Sequence, residues 1–167
     1  MACSGKSLRS AVPSPGRQTA PHAAGGPLLV LVVDDAPEIR LLLRLILEQG
    51  ACRLEFAADA AQALAWLAAE RPDLVLLDIS LGSGPDGLEL CGALKRVPGE
   101  AFPKVVMLTA DDDPHTVELA RACGADGYVV KPFTPTQILG LVDSFEVWRL
   151  DPARRPPAFW PVPHALR

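Results

Sequence analysis

The sequence predicts an α/β fold in which a doubly wound, five-stranded parallel sheet is covered by five helices. Two observations lead to this prediction. Short apolar runs alternate with helix-like stretches five times along the chain, and the run from Asp73 to Asp78 is apolar at every position between its ends. Such a run is typical of a strand buried on both faces. Strands that alternate with helices form parallel sheets with right-handed crossovers.

The first strand, the first helix and the second strand follow from the apolar pattern. Leu28–Val33 is apolar throughout, and Pro37 lies where the first turn of a helix tolerates proline. Cys52–Ala57 instead includes the alternating charges Arg53 and Glu55, as expected of a half-exposed strand at an edge of the sheet. That edge position favours the strand order 2-1-3-4-5.

Residues that start and stop helices identify the later elements. Asp59 can cap a helix, and both Asp113-Pro114 and Thr134-Pro135 place a proline directly after a capping residue. Gly124 is a stop signal. The predicted strands are Leu28–Val33, Cys52–Ala57, Asp73–Asp78, Lys104–Thr109 and Gly127–Lys131, and the predicted helices run to about residues 49, 70, 96, 123 and 148 from starts near 37, 59, 86, 114 and 135.

The chain of 167 residues is long enough for one ordinary domain with tails. Residues 1–26 are rich in Ala, Ser, Pro and Gly and have no hydrophobic period, so we expect a disordered leader. Residues 27–148 form the predicted domain. Residues 149–167 form a proline-rich tail that we expect to be extended or disordered.

Charge and cysteine usage narrow the range of functions. Residues 27–143 hold 18 acidic against 9 basic side chains, which disfavours nucleic-acid binding by this part of the chain. No apolar run reaches the roughly 18 residues of a membrane span, so we expect no membrane association. The four cysteines lack metal-ligand spacing. They fit small core thiols, with one in the leader, in a reducing and therefore cytoplasmic compartment.

Polar side chains follow four of the predicted strands. Asp34 and Asp35 come directly after the first strand, Asp78 ends the third, Thr109 ends the fourth and Lys131 the fifth. Because ligands bind beyond the carboxyl ends of parallel strands, we expect these groups to meet at one edge of the sheet. Three neighbouring carboxylates would raise one another's pKa, and Mg²⁺ relieves that repulsion.

A carboxylate beside Mg²⁺, a lysine and a hydroxyl can attack phosphorus. The metal and Lys131 would neutralise the oxygens of the transferring group, and the Thr109 hydroxyl could donate to an oxyanion. The product would be an aspartyl phosphate, which is a labile mixed anhydride.

The residues at these strand ends resemble the receiver domain of two-component response regulators over about residues 27–147. The chain is most similar to the single-domain type, such as the chemotaxis response regulator, which implies the flavodoxin-like sheet with order 2-1-3-4-5. Four motifs carry this resemblance, and their order and spacing along the chain agree with those of the family, which makes the combination specific. The motifs are Asp34-Asp35, the strand ending in Asp78, Met107-Leu108-Thr109-Ala110 and the segment from Gly124 to Phe133.

The resemblance implies how the phosphoryl group and the metal are bound. Asp78 would accept the phosphoryl group from a phosphohistidine. Asp34, Asp35 and Asp78 would hold Mg²⁺ together with the backbone carbonyl of Ser80. A protein of this kind catalyses only its own phosphorylation and dephosphorylation and is otherwise not an enzyme.

The resemblance also implies a conformational switch. Thr109 and Lys131 would contact the phosphoryl oxygens, and Lys131-Pro132 would be a cis peptide, which only proline makes affordable. Tyr128 matches the switch aromatic of the family, which turns inward when Thr109 moves toward the phosphate. The charge of the phosphate would then favour the inward position of the Tyr128 side chain over its outward position.

The expected partners follow from the same resemblance. A sensor histidine kinase or a phosphotransfer protein would supply the phosphoryl group. We expect no second globular domain after residue 148, so output would come from binding an unknown downstream protein. The helix 4–strand 5–helix 5 face, residues 114–147, would bind it, or would join two phosphorylated copies as a homodimer. The chain could also be a piece of a longer protein.

Two departures from the family pattern concern loops. Position 82 is Gly where the family usually has Pro, and Asp86-Gly87 arrive one residue late. We therefore expect the loop after the third strand to be longer and more flexible. Asp111 lies two residues after Thr109, at a position that in the family tunes dephosphorylation.

Two other classes of protein compete with this interpretation. Phosphatases of the haloacid-dehalogenase type also place a nucleophilic aspartate after a strand, but they need a second aspartate two residues later, where this chain has Ser80. A non-phosphorylated pseudo-receiver would act only as an interaction module. Such proteins usually lose an acid or the lysine, whereas this chain retains all of them. The pseudo-receiver remains the alternative.

Overall fold

The computed structural model describes residues 26–82, 84–96, 103–110 and 113–151, so residues 1–25 of the predicted leader and 152–167 of the predicted tail lie outside the described part. Five strands alternate with five helices, as predicted. The elements are β1 Leu28–Val33, α1 Pro37–Leu47, β2 Cys52–Ala57, α2 Ala60–Leu67, β3 Leu74–Asp78, α3 Gly87–Lys95, β4 Lys104–Thr109, α4 Pro114–Ala122, β5 Gly127–Val130 and α5 Pro135–Leu150.

The five strands form one parallel sheet in the order β2-β1-β3-β4-β5. This confirms the predicted order and the edge position of β2. The burial of the strands explains the sequence pattern. β1 and β3 are buried along their whole length, whereas the residues of β2 are mostly only half-buried. The alternation of charged and apolar residues in β2 is therefore explained by its edge position, where only β1 pairs with it.

Two hydrophobic clusters cover the two faces of the sheet. One face packs against α1 and α5, which contribute Leu43 and Phe145. The opposite face packs against α2, α3 and α4, which contribute Ala63, Leu90 and Ala120. Alternate residues of β1 belong to different clusters, which is why this strand is apolar at every position. Helices on both faces make the fold doubly wound, as predicted.

The predicted helix caps are confirmed. The carboxylate of Asp59 accepts a hydrogen bond from the backbone N–H of Gln62 at 2.8 Å, and α3 and α4 have Asp86 and Asp113 as side-chain caps. Thr134 and Gln137 form a reciprocal capping box at the start of α5. The fourth helix stops before Gly124, whose φ of +89° favours glycine.

Three helix ends differ from the prediction. α1 ends at Leu47 and α2 at Leu67, because the chain beyond each helix closes with tighter bonds, such as Gly50 N–H to Leu47 O at 3.0 Å. α5 continues to Leu150, so residues 149 and 150 are helical and do not belong to the tail. The Arg149 Nη2 atom donates to the backbone oxygen of Gly26 at 2.7 Å, so the added turn of the helix contacts the segment before β1.

None of the helices in the described ranges combines the length and the apolar character that crossing a bilayer requires.

An ion cluster around Asp126 joins three elements at the amino-terminal edge of β4 and β5. Its carboxylate accepts from Lys95 Nζ at 2.6 Å, from Lys104 Nζ at 3.0 Å and from the backbone N–H of Val105 at 2.9 Å. Burial raises the pKa of Asp126, but the bonds from Lys95, Val105 and Lys104 outweigh it, and the pKa lies below the ordinary value. Lys104 also lies over the ring of Trp148 at 4.5 Å. The cluster therefore links α3 and α5 to the sheet.

Replacement of Asp126 should test this link. We expect Asp126→Asn to lower the free energy of unfolding by about 2 kcal/mol at neutral pH, because charged hydrogen bonds are lost. A carboxylate with a lowered pKa stabilises the fold above its unfolded pKa, and the stabilisation is lost as the pH falls through the folded pKa. Urea unfolding of the wild type and the variant from about pH 6 to about pH 3 should therefore show a shrinking difference.

Asp143→Asn, at an exposed position of α5, is the matched control and should change stability by less than about 0.5 kcal/mol. Equal effects of the two substitutions, or a difference that stays constant with pH, would contradict the stabilising role of the cluster.

Candidate functional site

The parallel register brings the predicted site residues to the carboxyl edge of the sheet. Val33 pairs with Leu77, so β1 and β3 end at nearly the same level of the sheet. Thr109 pairs with Val130, so β4 and β5 also end at the same level. Residues that end or directly follow these strands are therefore neighbours. They are Asp34, Asp35, Asp78, Thr109 and Lys131.

Asp34, Asp35 and Asp78 form a carboxylate cluster. Each offers an oxygen, and these oxygens lie within 4.8 Å of one another. Asp34 is 0 % and Asp78 is 6 % exposed, whereas Asp35 is exposed, so the cluster opens to solvent on one side. Three carboxylate oxygens with solvent access match the donor set of a hard divalent cation, which also retains water ligands. The residues at this edge therefore fit a metal site.

Lys131 bridges two members of the carboxylate cluster. Its Nζ lies 2.6 Å from Oδ2 of Asp34 and 3.2 Å from Oδ2 of Asp78. The backbone N–H of Lys131 donates to the Thr109 carbonyl at 2.6 Å, which fixes the start of the loop before α5. The Lys131-Pro132 bond is cis, as the resemblance implies. The Lys131 ammonium thus pairs with two of the three carboxylates, and the cluster keeps an excess of negative charge.

The electrostatic environment of Asp78 disfavours its charged form. Burial is the main cause, and it raises the pKa of Asp78 above the ordinary value. The charge of Asp34 acts in the same direction, while Lys131 and the backbone N–H of Ser80 lower the pKa without restoring it. A bound cation would remove this penalty, since an adjacent positive charge favours the carboxylate.

Asp34 is held by two further contacts, one of which the sequence analysis missed. Its Oδ1 accepts from the backbone N–H of Ala36 at 2.9 Å, so the side chain supports the start of α1. Its backbone oxygen accepts from Arg40 Nη1 at 2.6 Å. Arg40 lies one turn into α1, and helical side chains tilt toward the amino terminus of the helix. That tilt is the signal that could have identified Arg40.

Two glycines shape the loop after β3. Gly82 has a φ of +65°, and a Cβ there would lie 3.0 Å from Oδ2 of Asp35. Proline requires a φ near −65°, so the proline that the resemblance led us to expect at this position could not adopt this loop conformation. A Cβ on Gly87 would lie 2.0 Å from the carbonyl oxygen of Asp78, so only glycine permits this approach. Residue 83 and Asp111 lie outside the described ranges, and the expected loop flexibility stays a prediction.

Ser80, Thr109 and Tyr128 occupy different parts of the site. Ser80 is exposed in the loop after β3, directly beyond the carboxylate cluster. Thr109 and Tyr128 are 4 % and 3 % exposed. Because side chains alternate along strands and Thr109 pairs with Val130, Thr109 points to the same face as Tyr128. The ring of Tyr128 lies inward in the cluster that includes Ala120 of α4.

Comparisons with known proteins agree with this geometry. A family model described as the response regulator receiver domain matches residues 30–143. The DNA-binding response regulator MtrA of Mycolicibacterium smegmatis is 39% identical over 113 residues, which cover 68% of this chain and 48% of that protein. The alkaline phosphatase synthesis transcriptional regulatory protein PhoP of Bacillus subtilis is 38% identical over 65% of this chain and 44% of its own length. The chain thus spans less than half of each of these relatives.

Solved structures give the same result. The chemotaxis response regulator CheY4 of Vibrio cholerae superposes with a TM-score of 0.66 at 30% identity, over 71% of this chain and 98% of that chain. A CheY-like receiver domain protein of Methanospirillum hungatei superposes with the same score and identity over 74% of this chain.

The raised pKa of Asp78 leads to a prediction about the free energy of unfolding. In metal-free buffer we expect Asp78→Asn to increase the free energy of unfolding at neutral pH, because the wild type must bury a disfavoured charge. The wild-type penalty applies above the raised pKa and disappears as the pH falls through it and the carboxyl group is protonated. The gain should therefore shrink toward acid pH in chelator-treated samples unfolded with urea.

Glu38→Gln, at an exposed position in the first turn of α1, serves as the control and should show no such gain. A loss of stability in Asp78→Asn at neutral pH would mean that the bond to Lys131 outweighs the burial of the charge.

Proposed function

The chain belongs to the response regulator receiver domain family of two-component systems, and from this premise we propose that it is a phosphorelay protein. Asp78 accepts a phosphoryl group from a phosphohistidine, with Mg²⁺ as the cofactor, and a conformational switch passes the signal to a protein partner. The observation that carries the proposal is the position of Lys131, whose ammonium bridges Asp34 and Asp78 inside the carboxylate cluster.

The carboxylate cluster and the loop after β3 provide the proposed magnesium ligands. Asp34, Asp35 and Asp78, with the backbone carbonyl of Ser80, are the proposed ligands of Mg²⁺. A bound ion would supply positive charge to neutralise the oxygens of the transferring phosphoryl group. Asp35 is the exposed member of the set, so its carboxylate is the one that solvent reaches.

Phosphoryl transfer then needs only positioned groups. A carboxylate oxygen of Asp78 attacks phosphorus, the bond from phosphorus to the donor imidazole nitrogen breaks, and that nitrogen keeps the electron pair. Lys131 exchanges its contact with Asp78 for a phosphoryl oxygen and retains its contact with Asp34. The hydroxyl of Thr109 donates to a second phosphoryl oxygen. Hydrolysis of the aspartyl phosphate restores the free carboxylate, so self-phosphorylation and self-dephosphorylation are the only proposed catalytic activities.

The signal travels through the face of the sheet that α4 covers. Thr109 and Tyr128 point toward this face, and Tyr128 packs in the same cluster as Ala120 of α4. A shift of Thr109 toward the phosphate frees space beside the tyrosine ring, and the ring position biases α4. The proposed output surface is therefore the α4–β5–α5 face, residues 114–147, on which Leu119 is an exposed apolar side chain.

We propose the class of protein to which each partner belongs, not an individual partner. A sensor histidine kinase or a phosphotransfer protein is the donor, which places the reaction in the cytoplasm. An unidentified protein binds the α4–β5–α5 face, with a phosphorylation-linked homodimer as a second use of that face. The DNA binding named for the MtrA relative is a property of that protein, of which this chain matches 48%.

Metal binding is the first step to test. At a free Mg²⁺ concentration of ten times its dissociation constant, the free energy of unfolding should rise by about 1.4 kcal/mol. Asp35→Asn should lose most of this gain, because it removes an exposed ligand without disturbing the core. Calorimetric titration and urea unfolding measure both quantities.

The control for metal binding is Glu38→Gln, which removes a nearby exposed carboxylate outside the cluster and should bind Mg²⁺ like the wild type. If Asp35→Asn and Glu38→Gln behave alike, the carboxylate cluster is not the metal site.

The phosphoacceptor is tested by intact mass. Incubation with Mg²⁺ and acetyl phosphate should add one phosphoryl group to the wild type. The addition should be absent without Mg²⁺ and in Asp78→Asn. Asp59→Asn replaces an aspartate that caps α2 with another good cap, so it controls for a general loss of carboxylates and should be phosphorylated normally.

The outcomes separate the proposal from its alternative. A phosphoryl group on Asp78→Asn would sink the assignment of the acceptor. Mg²⁺ binding without any phosphorylation, also with a histidine-phosphorylated phosphotransfer protein as donor, would favour the pseudo-receiver that acts only as an interaction module.

A further inference from the structure

Two cysteine side chains meet on the face of the sheet that α2, α3 and α4 cover. Cys91 lies on α3 and is 0 % exposed, and Cys123 is the C-cap residue of α4 and half-buried. The Cys91 thiol lies 3.7 Å from the carbonyl oxygen of Cys123, to which it can donate, and the two thiols are also within hydrogen-bonding reach of each other. Neither residue has a role in the proposed phosphoryl transfer.

The backbones of α3 and the end of α4 approach closely around these thiols. A Cβ built on Gly92 would lie 3.8 Å from the Cβ of Cys123. A Cβ on Gly124 would lie 3.2 Å from the side chain of Lys95. The backbone of α3 next to Cys91 thus lies within side-chain contact of Cys123, and a disulfide between two elements needs backbones that approach each other this closely.

The two thiols differ in acidity. A hydrogen bond with the Cys91 thiol holds the pKa of Cys123 below its ordinary value, at about 7, although burial acts in the opposite direction. The same hydrogen bond and burial raise the pKa of Cys91. Because the thiolate is the reactive form, Cys123 is suited to react first and Cys91 to react second. Burial raises the pKa of Cys52, which makes Cys52 the matched unreactive thiol.

We propose that Cys91 and Cys123 are a redox modification site that forms a reversible intramolecular disulfide when the protein meets a peroxide. The Cys123 thiolate attacks a peroxide oxygen, the O–O bond breaks, and Cys123 becomes a sulfenic acid. The Cys91 sulfur then attacks the Cys123 sulfur, and the leaving hydroxide takes the Cys91 proton to form water. Two thiols and one hydrogen peroxide thus give one disulfide and two waters.

The disulfide would tie α3 to the end of α4 covalently. In the context of the proposed function, on which this one consequence rests, the tie would restrain α4, which is part of the output face. Formation of the bond itself needs no phosphoryl transfer, so it can be measured independently of that function.

The experiment uses a background variant of the 167-residue chain, Cys3→Ser with Cys52→Ala, in which Cys91 and Cys123 are the remaining cysteines. The folded protein is treated with hydrogen peroxide, quenched with catalase, unfolded and alkylated with N-ethylmaleimide before intact-mass measurement. We expect two alkyl groups on the untreated protein and none after treatment, with the loss of two hydrogen atoms. Dithiothreitol should restore both alkylation sites.

Single replacements of the pair test the order of reaction. Cys91→Ala should leave Cys123 as a sulfenic acid that dimedone traps, whereas Cys123→Ser should leave Cys91 unmodified by peroxide. Cys123→Ser changes a half-buried position and keeps the test valid if Cys91→Ala fails to fold. In the folded wild type at neutral pH, Cys123 should be alkylated about tenfold faster than Cys52.

The proposal is overturned if both thiols remain open to alkylation after peroxide treatment of the folded background variant. It is equally overturned if the disulfide forms only in urea, since the folded geometry would then not permit it, or if oxidation produces only covalent dimers.

Discussion

Three carboxylates held within 4.8 Å of one another are the constraint on which the site depends. Such a concentration of like charge opposes folding unless positive charge meets it. Lys131 offsets part of this negative charge, because its ammonium bridges Asp34 and Asp78. Asp78 nevertheless has a raised pKa, because one lysine does not offset its burial. A bound cation would offset the remaining imbalance, so the unfavourable electrostatics of the carboxylate cluster and the proposed phosphoryl chemistry have the same origin.

The apolar sheet makes this arrangement rigid enough to persist. Strands β1, β3 and β4 are buried almost throughout, and helices pack on both of their faces. Each polar group therefore stands on a strand end that cannot move without disturbing a packed core. On the α4-covered face, the inward ring of Tyr128 and the close-packed Cys91–Cys123 junction belong to the same cluster. Phosphoryl and redox chemistry, as proposed, would act on one layer of the molecule.

The positions of the site residues were predictable because parallel strands impose them. Asp34, Asp78, Thr109 and Lys131 each follow an apolar run whose direction is settled by the alternation with helices, and the helix caps follow from local hydrogen bonding. The helix ends were less predictable, since they depend on contacts between distant segments, such as Arg149 with the backbone of Gly26. The contact of Arg40, the close approaches at Gly82 and Gly87 and the meeting of the two cysteines were not predicted. The position of Arg40 one turn into α1 was a usable signal, whereas the other three are set by distances of a few ångströms between elements, which no pattern along the chain encodes.

The hydrogen bond from Arg149 to Gly26 has an architectural consequence. It holds the first and the last described turns of the chain side by side. α5 begins beside the carboxylate cluster and its 16 residues span about 24 Å, so these neighbouring ends lie at the far edge of the sheet. Sequence on either side of the domain thus leaves from a single anchor point remote from the site. The domain could be inserted as a cassette into a loop of another protein, or circularly permuted with a short linker, with the site left open to its donor.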